Sequence, residues 1–186
     1  ALLVNSGTNA LIASLMCAGV GPGDEVIVPA YTFVATANSV LNVGAIPVIA
    51  NIDERLGISL EDIKLKITDK TNAIIAVHMD VRPCNIFEIA ELAQEKNLVL
   101  IEDTAQALGA QINEKKLGSI GDFGCFSLNM DKVLTTGEGG IVVTNSEEDY
   151  QKLLILSDGG YAYGEFEHRN LDQVNPFVGL SMRMSE

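Results

Sequence analysis

Basic residues are scarce in this 186-residue chain: 12 Lys and Arg stand against 25 Asp and Glu, a formal net charge of −13. That balance repels polyanions at long range, so nucleic acid and anionic membranes are excluded as non-specific partners, and small metabolites or proteins are favoured. Cysteine is sparse too. Cys17, Cys84 and Cys125 are odd in number, widely spaced and without a C-x-x-C pair, which excludes the common zinc and dithiol frameworks and fits reduced thiols in a cytosolic protein. No metal site is expected. No apolar run reaches the roughly 18 residues of a membrane span, and no basic leader precedes an apolar stretch, so a soluble, cytoplasmic protein is expected. Neither the Walker nor the dinucleotide glycine fingerprint occurs, nor does any internal repeat.

What is present suits a folded chain, with 47% hydrophobic residues and 17 glycines. The length predicts one domain over residues 1–186. The sequence opens inside an apolar run without Met and closes at Met184-Ser185-Glu186, where Ser and Glu suit a helix start. A piece of a longer chain is therefore expected.

Short β-rich runs stand at Glu25–Pro29, Ile46–Asn51, Asn72–His78, Leu98–Asp103, Gly124–Ser127 and Gly140–Asn145, several apolar throughout, as strands buried on both faces must be. Between most of them the spacing predicts helices over Thr8–Ala18, Thr32–Val43, Ser59–Lys66, Asn85–Lys96 and Glu147–Ser157. Ser59 before Asp62 and Ser146 before Asp149 read as N-caps with an acid in the first turn. The alternation predicts an α/β fold with a mostly parallel sheet, whose ligands bind beyond the carboxyl ends of the strands. His78, Asp103 and Ser127 stand at such ends.

Three segments carry candidate chemistry. Asn5-Ser6-Gly7-Thr8-Asn9-Ala10 leads into a helix whose free N–H groups would favour a phosphate, although an ordinary Ser/Thr cap would read the same way. In the run Val99 to Gln106, two acids close an apolar strand, where burial demands a cationic partner. A pyridinium nitrogen would satisfy Asp103 and stay protonated, making the ring an electron sink, whereas Glu102 is expected to point away. A helix-capping Asp is the alternative for Asp103. Gly121 to Gly140 is the densest stretch: a strand ends at Ser127, a loop presents Lys132, and a Gly-rich turn enters the next strand. A buried lysine that loses its proton can form an imine, while a solvated loop lysine does nothing.

Ser6-Gly7-Thr8, Gly21 to Val26, Pro29 to Asn38, Glu102 to Gly109, Leu117 to Asp122, Ser127 with Lys132, Thr135 to Gly140 and Arg183 to Glu186 together resemble the DegT/StrS sugar aminotransferases. The resemblance implies a three-layer α/β/α fold-type I large domain without its smaller C-terminal domain. It also implies pyridoxal 5′-phosphate (PLP) as cofactor and a homodimer. The activity implied is amino transfer from glutamate or glutamine to a keto sugar of the nucleotide-linked kind used in polysaccharide or antibiotic sugar biosynthesis. By the same resemblance Lys132 forms the internal aldimine, Asp103 meets the pyridine nitrogen and Gln106 lies near the ring hydroxyl. Thr8, Ser127 and the Asn9 backbone hold the phosphate, and Phe33 stacks on the ring.

Three positions depart from the family pattern. The turn after the third of the runs above reads His78-Met79-Asp80-Val81-Arg82-Pro83-Cys84, Ser181 stands where an Asn usually reaches the partner subunit, and Asn129 stands where His or Gln is frequent. His78 receives no role. A PLP-dependent sugar dehydratase is one rival reading, but that branch resembles this chain with His in place of Lys132. A non-catalytic PLP-fold regulator or binding module is a second, and a nucleotide-binding doubly wound domain, which lacks its fingerprint here, is a third.

Overall fold

Strands without a polar face can be buried only inside a sheet covered on both sides. The computed structural model, which describes residues 1–159 and 179–184, has that arrangement. A seven-stranded sheet runs in the order β1 (Leu2–Val4), β9 (Gly140–Val143), β8 (Phe123–Ser127), β5 (Val99–Asp103), β4 (Thr71–Val77), β2 (Glu25–Pro29) and β3 (Ile46–Ala50). From β8 to β3 every neighbouring pair is parallel, while β9 is antiparallel to both β8 and β1. The expected mixed, mostly parallel α/β sheet is the one observed.

Alternation along the strands divides the core in two. Val26 and Val28, Ala73, Ile75 and Val77, Ile101 and Cys125 belong to one cluster with helix α1 (Gly7–Cys17), α2 (Ala35–Asn42) and α5 (Glu147–Ser157). Ile27, Ile74, Ala76 and Leu100 belong to the other, with α3 (Leu60–Lys66) and α4 (Ile86–Lys96). Three helices start on serine caps. The hydroxyls of Ser6, Ser59 and Ser146 accept the amide three residues on, at 3.1, 3.3 and 3.2 Å, each stabilising its helix by about 1 kcal/mol.

Some expectations are corrected. The helix expected from Thr32 begins only at Ala35, because the Thr32 and Thr36 hydroxyls bond each other at 2.7 Å and Thr36 reaches across to β5 rather than capping the turn. β1 is a sheet edge that the opening apolar run did not reveal. A two-stranded hairpin, β6 (Gln111–Ile112) with β7 (Lys115–Lys116), turns through Asn113 and Glu114, both at positive φ. Two-residue hairpin loops ask for that conformation, normally by means of Asn-Gly or Asp-Gly. The helix start expected at Ser185 and Glu186 lies outside the described residues.

Candidate active site

Asp103 and Ser127 are the last residues of β5 and β8. Strand parity puts Asp103 on the same face as Ile101, the face covered by α1. There the carboxyl ends of the strands, the start of α1, the approach to α2 and the loop after β8 enclose a pocket of about 300 Å³, lined among others by Thr8, Phe33, Asp103, Gln106, Ser127 and Lys132. Residues spread across 125 positions of sequence thus meet at one site, because a parallel sheet collects all its strand ends on one edge.

Asp103 is 6% exposed. Its Oδ2 accepts the Thr36 hydroxyl at 2.8 Å and its Oδ1 accepts the Ala105 amide at 3.2 Å. Burial nevertheless holds its carboxyl above the ordinary carboxylate range, outweighing those two bonds and the more distant positive charge of Lys132. A carboxylate so placed is under-compensated, and a bound cation is what would complete it.

Glu102, the preceding residue, points to the opposite face as expected, yet it is not idle. It is fully buried and takes four hydrogen bonds: Oε2 from His78 Nε2 at 3.0 Å and the Gly118 amide at 2.8 Å, Oε1 from the Ile120 and Gly121 amides at 2.7 and 2.8 Å. Burial pushes this carboxyl up, but the bonds from His78, Gly121 and Gly118 win and hold it below the ordinary range. His78, although it follows a strand end, is fully buried on this far face and does not line the pocket.

At the start of α1, the Ser6 hydroxyl takes the Asn9 amide and the Asn5 carboxamide takes the Asn9 side chain at 2.6 Å. Asn9 is not among the pocket-lining residues. The amides of Gly7 and Thr8, both in the lining, have no intrahelical acceptor. A Cβ on Gly7 would come within 2.8 Å of the Ser127 Cβ, so only glycine lets the helix end approach this closely. The Ser127 oxygen accepts the Asn129 amide at 3.4 Å, which leaves the hydroxyl proton free to donate outward. Helix N–H groups and two hydroxyls converging here form an anion cradle.

Lys132 sits on the loop between β8 and β9, and among the described residues no carboxylate forms an ion pair with its Nζ. The loop is braced from within: Asn129 Nδ2 donates to Glu138 Oε1 at 3.0 Å, and the Thr135 hydroxyl and Thr136 amide both donate to the Leu128 carbonyl at 3.0 Å. Phe33 lines the pocket with 66% of its surface exposed, and Gln106 accepts the Asp80 amide at 3.0 Å. Ser181 pairs with Asp158 in an isolated bridge and is not among the residues lining this pocket. What sequence reasoning missed is Thr36, whose buried hydroxyl holds Asp103; only its position one turn after Thr32 hinted at it.

Residues 1–186 match the DegT/DnrJ/EryC1/StrS aminotransferase family. The chain belongs to that family. Its relatives include a GDP-perosamine synthase of Caulobacter vibrioides, 42% identical over all of this chain and 48% of that protein. Another is a UDP-N-acetyl-3-dehydro-alpha-D-glucosamine 3-aminotransferase of Acidithiobacillus ferrooxidans, 48% identical over 83% of this chain and 42% of that one. Among solved structures, the PLP form of the putative sugar aminotransferase Spr1654 from Streptococcus pneumoniae superposes with a TM-score of 0.86 at 30% identity, covering 99% of this chain and 51% of that one. The chain thus spans about half the length of the relatives it matches. DegT/DnrJ/EryC1/StrS aminotransferases use PLP. The pocket fits that cofactor on its own geometry: an under-compensated buried carboxylate for the ring nitrogen, a glycine-dependent anion cradle for the phosphate and a lysine on the loop beside both.

Proposed function

We propose that the complete protein is a PLP-dependent aminotransferase that moves an amino group from glutamate or glutamine to a keto sugar carried on a nucleotide, and that residues 1–186 form its cofactor-binding large domain. The observation that carries this reading is the placement of Lys132 and Asp103 on one pocket with the Gly7–Ser127 cradle. The names of the relatives, a GDP-sugar synthase and a UDP-sugar aminotransferase, support the nucleotide-linked substrate.

In this reading Lys132 Nζ attaches the cofactor, Thr8 and Ser127 hold its phosphate with the first amides of α1, and Phe33 covers the ring. When bound, PLP supplies an aldehyde for amines and a ring that draws electrons from the adjacent carbon. Asp103, fixed by Thr36 and Ala105, accepts the ring N–H and keeps that proton in place. Gln106 sits beside the ring hydroxyl. With the cofactor held there, Lys132 would serve as the base that takes the proton from the donor's α-carbon and gives it back to the cofactor's aldehyde-derived carbon.

The same reading makes the protein a homodimer. Tyr31, Val34, Met130, Val133 and Leu134, neighbours in sequence of pocket-lining Phe33 and Lys132, are exposed apolar groups of the kind a partner subunit covers. The free, buried thiols of Cys17, Cys84 and Cys125 suit a reducing cytoplasm. Synthesis of a cell-surface or antibiotic amino sugar is the biological role it implies.

The test is to incubate the complete protein with PLP, reduce with borohydride and map the label by mass spectrometry. Label on Lys132, together with loss of amino transfer from glutamate or glutamine in Lys132→Ala, is expected. Label at another lysine, or transfer that survives Lys132→Ala, would overturn the assignment.

A further inference from the structure

The proposed chemistry leaves unused a fully buried polar group, the imidazole of His78. Its surroundings fix its proton. Nδ1 faces the backbone N–H of Cys84 at 3.4 Å, and an amide can only donate, so Nδ1 is the acceptor and Nε2 carries the hydrogen given to Glu102 at 3.0 Å. Glu102 is itself immobilised by three further amides. Gly57 presses on Cys84 from the other side, where a Cβ would lie 2.7 Å from the Cys84 Cβ.

Between His78 and Cys84 the backbone makes a turn that its residues resist. Asp80 and Val81 are both at positive φ, 50° and 62°, and a β-branched residue there is strained. Such a conformation persists only where its surroundings over-determine it. The turn also has an output. The Asp80 amide donates to Gln106 Oε1 at 3.0 Å, and the His78 amide donates to the Asp103 carbonyl at 3.1 Å, so the segment touches both residues assigned to the cofactor ring.

We propose that His78 is a positioning residue: oriented by Glu102, it clamps the strained turn at Asp80 and Val81 shut and thereby fixes Gln106 against the pocket. The proposal rests on the reading of the pocket as the PLP site.

Two substitutions divide the clamp. His78→Gln retains a donor for Glu102 but offers no acceptor where Nδ1 sits, and His78→Asn keeps the acceptor but no longer reaches Glu102. In the complete protein, His78→Gln is expected to weaken PLP binding about fivefold, the worth of one hydrogen bond, with His78→Asn weaker in effect. Combined with Gln106→Ala, His78→Gln should add nothing further, because both act through one contact. Two effects that simply multiply would overturn the proposal.

Amide hydrogen exchange in the cofactor-free protein gives the independent readout. Exchange across residues 79–84 should quicken in His78→Gln, and unchanged exchange would overturn the clamp. Val81→Gly lies on the surface and tests the strain even where a His78 variant fails to fold. Freed of the left-handed penalty, the turn should open less and its exchange slow by up to about tenfold; faster exchange contradicts the proposal. If the unsubstituted protein takes no PLP at Lys132, the pocket reading falls, while the exchange measurements still decide the turn.

Discussion

The hydroxyl of Thr36 donates to Oδ2 of Asp103 at 2.8 Å, joining the first turn of α2 to the end of β5 across 67 positions of sequence. With its single proton given to Asp103, the Thr36 oxygen accepts the Thr32 hydroxyl at 2.7 Å, so two rotatable hydroxyls stand behind one buried carboxylate. Such a relay can reorient its protons when the carboxylate changes partner, which a rigid amide cannot do.

Replacing Asp103 with Asn should separate stability from function. The native carboxyl titrates above its ordinary value because it is buried, so the folded state holds that proton more tightly than the unfolded one. Asp103 therefore weakens the cofactor-free fold as pH rises through that interval and stays unfavourable at neutral pH. Asp103→Asn is expected to raise the stability of the cofactor-free protein at pH 7 and to abolish amino transfer. Thermal melts of both proteins at pH 7, without PLP, would check it; a lower melting temperature in the variant contradicts the account.

Glu102 has the opposite sign. Its folded-state carboxyl lies below the ordinary value, so its contribution is fully present above the unfolded pKa and is lost as pH falls through the folded one. Glu102→Gln leaves one oxygen to serve four donors and should cost on the order of 3 kcal/mol at pH 7. The difference in melting temperature between the two proteins should shrink as the pH is lowered below about 4. A difference independent of pH would show that the four bonds do not depend on charge.

Gly7→Ala offers a test of the cradle. Alanine favours a helix, yet its methyl would lie 2.8 Å from the Ser127 Cβ, and such overpacking costs about 1–3 kcal/mol. The expected outcome is a protein that folds but binds PLP several-fold more weakly, measured by fluorescence titration. Unaltered affinity would mean that Ser127 does not hold the phosphate.

The thiols should be inert in the native protein. Burial pushes Cys17 and Cys84 up to about 12 and Cys125 upward as well, leaving roughly one thiolate in ten thousand at pH 8. Iodoacetamide at pH 8, followed by mass spectrometry, should modify none of the three until denaturant is added.

Several of these features could be read from the chain. Short apolar β-rich runs and period-3.6 patterning located the central strands and the five helices of the described residues, and the three serine caps lie where a Ser precedes a helix. The hairpin at Asn113 and Glu114 was not legible, because Glu in a left-handed turn carries none of the usual signals. Thr36 was not legible either. A threonine in a short helix has no local mark of its partner on another strand.

By itself the sequence determined the α/β alternation, the strand-end location of Asp103 and Ser127 and the family to which the chain belongs, since these depend on local periodicity and on the order of motifs. Only the tertiary structure decided that Glu102 and Asp103 serve opposite faces, that the Asn9 amide is taken by Ser6 and that His78 is sealed away from the pocket. Those outcomes depend on which groups meet across the sheet. Burial and hydrogen-bond supply, which set the behaviour of each carboxylate, exist only after the strands have come together.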